Sequence, residues 1–136
     1  MSRTHQFFFA IAILMTIALF VVGGHPSASY VFQGNWHWIA HFSTYAIMAG
    51  LYRSGLPKHS TIVATLVVVS IGGLHEFYEI WSHGHPFELA DFLVNGAGAA
   101  FGAFFMRTVM RALASKPRLH LPAQPVMVKA RVSQRF

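Results

Sequence analysis

All four acidic residues of this 136-residue chain, Glu76, Glu79, Glu88 and Asp91, fall in one stretch, EFYEIWSHGHPFELADFLVNGAGAAFG, residues 76–102. His75, His83 and His85 stand beside or among them. Glu76 and Glu79, at i and i+3, share one face of a helix. Two carboxylates one turn apart within apolar sequence repel each other, and one tends to hold a proton unless a cation compensates. No Lys or Arg lies in this stretch, so the candidates are histidines or an external ion. His75-Glu76-x-x-Glu79 begins like HExxH but lacks the second His. His75 and Glu79, at i and i+4, could share a metal, and His83 and His85 could add ligands. These four are the metal candidates on spacing; no metal or other cofactor is assigned.

Two further stripes carry polar chemistry. Asp91, Asn95, Gly98 and Gly102 fall at i, i+4, i+7 and i+11, one face of one helix. His37, His41 and Tyr45 repeat at i, i+4 and i+8 on an earlier one. Each stripe also has a plainer explanation. Asp91 in a first turn suits the helix macrodipole. Asn95 can bond a neighbouring helix, and Gly98-x-x-x-Gly102 is a helix-packing pattern. His37 is explained by an interfacial position alone, and His41 and Tyr45 by an interhelical hydrogen bond to Glu76 or Asp91.

Other chemistry finds little support, and no catalytic residue is assigned. Ser43 and Ser82 lie near histidines without a nucleophile elbow around them. The glycines of residues 96–102 sit inside an apolar run, not in a phosphate-cradling loop. There is no cysteine. The basic C-terminal segment lacks interleaved aromatics, so no nucleic-acid partner is expected.

The elements that must position these residues are apolar. The chain is 54% hydrophobic and 10% charged, with mean hydropathy +0.48, against roughly 25% charged in soluble domains. It reads as an all-α, polytopic bundle of four transmembrane helices at approximately 7–24, 36–52, 61–81 and 89–110. Residues 1–114 form the membrane domain and 115–136 a basic tail, disordered or lying on anionic lipid. The first helix could instead be a signal segment with a cleavage site at Ser27-Ala28-Ser29, but its apolar run suits a retained span. Tyr30 and Phe32 look interfacial. With four spans, all ten Lys and Arg fall on the side of the two termini and the loop between the second and third helices. That side is expected to be cytoplasmic, which puts the polar stripes at one depth near the outer face.

From His37 to Gly102 the chain resembles the VanZ-like family of small bacterial membrane proteins. The resemblance rests on His41-Phe42 followed by Tyr45, then Glu76, Gly84, Asp91, Asn95, Gly98 and Gly102 at the family's intervals. His37-Trp38 stands where many members have Asp-Lys, Glu79 where Gln is usual, and His85 where Arg is usual. The family pattern carries no His at positions 75, 83 or 85, which weighs against the metal reading. His85 does not supply the five-donor fork of Arg, so phosphate clamping is not expected. The resemblance implies a protein of the bacterial inner membrane, in a family associated with teicoplanin resistance and with no settled reaction.

The expected function is therefore an outward-facing polar pocket for an envelope or lipid-linked molecule. Its residues are Glu76, Asp91, Asn95 and His41, then Glu79, His85 and Tyr45. Membrane lipid is the expected partner, with other membrane proteins or a second copy as candidates. An accessory subunit of a larger membrane complex is the main alternative, and a metal-dependent membrane enzyme the third.

Overall fold

The structure is a computed structural model that describes residues 2–25, 34–84 and 86–115. The first helix, α1 (Arg3–Gly23), starts earlier than its apolar run because Ser2 caps it, its hydroxyl accepting from the His5 amide at 3.4 Å. The His5 ring Nδ1 lies 2.8 Å from the Ser54 carbonyl, which satisfies an orphan acceptor at the end of α2 (Asn35–Gly55). The Gly34 cap before α2 has φ +59°, a conformation that disfavours side chains. Ser60 caps α3 (Thr61–His83) by accepting from the Val63 amide at 3.2 Å, and Gly84 ends it in the left-handed region at φ +70°. α4 (Leu89–Ala114) carries Asp91 in its first turn and Arg111 in its last, both favourable to its dipole. Among the described residues there is no strand.

α1, α3 and α4 are long and apolar enough to cross a membrane. At 21 residues α1 is about 32 Å long, against a hydrocarbon core of about 30 Å. α2 matches it in length; its polar stripe leaves it short of the same apolarity. The exterior is apolar on every helix, with Leu14, Val21, Ile47, Leu66, Phe77, Leu93 and Phe105 all more than half exposed. Polar side chains lie inside: Glu76, Asp91 and Asn95 are buried. That inversion suits a lipid-facing surface, where every polar group must find a partner within the protein.

The helices alternate in direction. Residues of α2 meet α4 in increasing order, His37 with Asp91, His41 with Asn95, Phe42 with Gly98 and Ala46 with Gly102, so these two run parallel. α2 and α4 make the most extensive helix pair. A Cβ on Gly98 would collide with the Phe42 carbonyl, and one on Gly102 with the Ala46 carbonyl. Only glycine admits that approach. α1 runs against α2, with Thr16 Oγ1 bonded to the Ala12 carbonyl at 2.9 Å and 3.1 Å from the Tyr52 hydroxyl. The apolar core, Ala12, Tyr45, Met48, Ala49, Tyr52, Ala64, Val68, Ala99 and Ala103, runs from the polar stripes toward the other end of the bundle.

Candidate functional site

Three helices bring the polar stripes together near one end of the bundle. The parallel offset of α2 and α4 sets His37 and His41, one turn apart, beside Asp91 and Asn95, also one turn apart. His37 Nε2 lies 2.8 Å from Asp91 Oδ2. His41 Nδ1 lies 2.9 Å from Asn95 Oδ1. α3 completes the row from the other side, where Asn95 Nδ2 donates to Glu76 Oε1 at 3.1 Å. Small residues make room for this: Gly72 of α3 faces both Tyr45 and Asn95, and a Cβ there would sit 3.2 Å from the Tyr45 ring.

The directions of these bonds follow from the groups. With Glu76 as a carboxylate it can only accept, so the Asn95 amide turns its NH2 toward Glu76 and its oxygen toward His41. The His41 Nδ1 then carries a proton, and in the neutral form of the ring the lone pair is on Nε2. One carboxylate on α3 thus sets the tautomer of an imidazole on α2 through an amide on α4.

Burial is graded. Glu76, Asp91 and Asn95 are each at most 2% exposed, whereas the His37 side chain is 29% exposed. His37 is the edge of the cluster that solvent or a ligand meets first. The His37 and His41 rings lie 4.3 Å apart, and Tyr45 stacks on His41 at 6.3 Å. Two buried atoms of this cluster, Asp91 Oδ1 and the Tyr45 hydroxyl, have no hydrogen-bond partner among the described residues.

Among the residues expected from sequence, His41, Tyr45, Glu76, Asp91 and Asn95 come together in this cluster. His41 does not bond Glu76 or Asp91 directly; it reaches Glu76 through Asn95, and Asp91 is taken by His37. Glu79 pairs with His75, Oε1 to Nδ1 at 3.7 Å. The His75 ring turns toward α1, edge-on to Phe20 at 5.5 Å and against Gly23. His85 and the side chain of His83 lie outside the described residues, as do residues 26–33 with Tyr30, Phe32 and the Ser27–Ser29 segment, and the tail beyond Ser115. The residue undervalued by sequence reasoning is His37: an interfacial position explained it, yet it holds a buried carboxylate. Its spacing of four from His41 was the available signal.

Among the described residues, two groups have the donor types and closeness for a metal: His37, His41 and Asp91, and His75, Glu76 and Glu79, each with ligand atoms within 4.8 Å of one another. Compared with known proteins, the chain matches no family model, no curated protein and no solved structure.

Proposed function

We propose that this chain is a VanZ-like protein of the bacterial cytoplasmic membrane, crossing it four times with both ends in the cytoplasm. The polar cluster of α2, α3 and α4 then forms a pocket near the outer face for an envelope-derived or lipid-linked molecule. The observation that carries this reading is a pair of buried atoms, Asp91 Oδ1 and the Tyr45 hydroxyl, that have no hydrogen-bond partner among the described residues, beside the bonds that join His37, Asp91, His41, Asn95 and Glu76. A network that only locked helices together would satisfy its own groups, because unmet buried polar atoms are costly. A pocket keeps donors and acceptors for its ligand. Orientation is supported by charge. Arg3, Arg53, Lys58, Arg107 and Arg111 gather at the end opposite the cluster, which carries no Lys or Arg among the described residues.

The accessory-subunit reading has one observation in its favour. Phe101 and Phe105 stack at 5.9 Å on an exposed face of α4, beside the exposed Phe104. Lipid covers such a face as readily as protein does. The experiment that separates the two readings is teicoplanin susceptibility of a Gram-positive host expressing the chain. Wild type should raise the inhibitory concentration several-fold, and Glu76→Gln and Asp91→Asn should abolish that protection while the protein still accumulates in the membrane. Full protection by both variants would overturn the pocket, and no protection by wild type would overturn the VanZ-like assignment. Reporters fused at Ser54 and Gly84 should read inside and outside.

A further inference from the structure

The mouth of the cluster has a donor set of its own, built where α2 crosses the start of α4. His37, His41 and Asp91 present one ligand atom each, all within 4.8 Å of one another. A tetrahedral zinc centre has bonds of about 2.0–2.2 Å, and so ligand atoms about 3.3 Å apart. To admit an ion, the present His37 Nε2 to Asp91 Oδ2 distance of 2.8 Å would open by about half an ångström, and the ion would displace to solvent the proton now held between the two atoms.

Two further observations point to a ligand at this place. The first is Asp91, 2% exposed, with Oδ1 unpartnered among the described residues. Its carboxylate has coordination capacity that the protein leaves unused. The second is the tautomer of His41. With Glu76 as a carboxylate, the His41 Nδ1–H is spent on Asn95, so the neutral ring offers Nε2 as a donor atom. Ligating histidines are held in this way, by giving the other ring N–H to a fixed acceptor. A divalent cation would also supply the positive charge that no Lys or Arg provides at this end.

We propose that His37, His41 and Asp91 bind one divalent transition-metal ion of the zinc class, with a fourth coordination position left for water or for the pocket's ligand. Two imidazoles and one carboxylate suit zinc and its neighbours; magnesium and calcium favour all-oxygen sites. Asn95 and Glu76 are positioning residues, one orienting His41 and the other orienting Asn95. The second group, His75 with Glu76 and Glu79, is less suited. Glu76 is committed to Asn95 and the His75 ring is turned against α1. The inference rests on the reading of this cluster as a working pocket, and its test can fail independently.

The test uses the untagged full-length chain in detergent, stripped with a chelator and titrated with Co2+ and then Zn2+. One ion per chain is expected, with the visible absorption of low-coordinate Co2+ lost on adding Zn2+. His37→Gln and Asp91→Asn should remove the absorption while helical circular dichroism and monodisperse elution are kept. Asn95→Ala should weaken binding by about 10–100-fold, the usual effect of removing an outer-shell partner, and Glu79→Gln should leave it unchanged. A wild-type protein with no Co2+ absorption and no retained zinc overturns the proposal. So does binding that responds to Glu79→Gln and not to Asp91→Asn. If metal is absent but Asp91→Asn still abolishes teicoplanin protection, the pocket stands and the metal falls. If metal binds and protection does not depend on these residues, the metal site stands without the pocket.

Discussion

The seam between α2 and α4 is made in two opposite ways along its length. At one end, His37 and His41 reach across to Asp91 and Asn95, so four side chains fill the gap between the helices. One to three turns further on, Gly98 and Gly102 bring bare backbone against Phe42 and Ala46. The helices, the spacing of four and the parallel direction are shared; only the residue types differ. The glycine end is held by close contact, which tolerates nothing larger than hydrogen. The polar end is held apart by its own side chains and joined by hydrogen bonds. The seam is therefore closed backbone to backbone at its apolar end and, in that sense only, open at its polar end, where side chains bridge it. Side chains, unlike a backbone contact, are groups from which a site could be built.

That contrast can be broken most severely at the closed end. Gly102→Leu should cost about 3 kcal/mol or more, since the side chain meets a backbone carbonyl that cannot yield. Loss of monodisperse protein or a steep fall in thermal stability in detergent is the expected readout. Gly96→Ala on the same helix is the control: a Cβ there would meet Val69 at 4.0 Å, an ordinary contact, and stability should hold or rise.

The open end should respond less. Asn95→Leu leaves His41 and Glu76 without their shared partner, a loss of about 1–3 kcal/mol. A double-mutant cycle sharpens the point. His41→Phe and Glu76→Gln should be non-additive by about 0.5 kcal/mol or more, because Asn95 joins them. Strict additivity would show that the two bonds to Asn95 are independent and that the row is not one network.

The smallest effect is expected from a polar group in the apolar half. Thr16→Val removes the bond to the Ala12 carbonyl and the contact with Tyr52, and should cost about 0.6 kcal/mol, an average interhelical hydrogen bond in a membrane. A larger loss in a chemical unfolding measurement would mean that the closed end, too, depends on polar contacts.

Much of this arrangement was legible in the chain. Helical spacing alone placed Asp91, Asn95, Gly98 and Gly102 on one face, and it aligned His37, His41 and Tyr45 on another. Apolar runs and breaker-rich connectors marked four helices. What spacing could not supply is which face meets which. His37 and Asp91 are 54 positions apart, and their pairing depends on a parallel offset between non-consecutive helices, set by glycine contacts together with the α3 side chain that meets Asn95. His75 illustrates the same limit. Its neighbour Glu76 turns inward to Asn95, while His75 turns toward α1, where Gly23 leaves room for the ring. The early start of α1 was hidden for a different reason: Arg3 to Gln6 are polar, and their helix depends on the Ser2 cap and the reach of His5 to Ser54.

The parallel seam has one more consequence, concerning register. Its contacts repeat every four residues on both helices, and four residues beyond Ala46 on α2 stands Gly50, where a Cβ would sit 3.6 Å from the Gly102 carbonyl. If α2 slid by four residues, about 6 Å, Ala46 would face Gly98, Gly50 would face Gly102, and His41 would take the place of His37 beside Asp91. Steric fit and one His–Asp pair would both survive. The two helices alone therefore spell out two alignments of nearly equal quality. Glu76 of α3 bears on the choice from outside the pair: in the alignment observed, its partner Asn95 meets His41, where the slid alignment would set Tyr45 opposite.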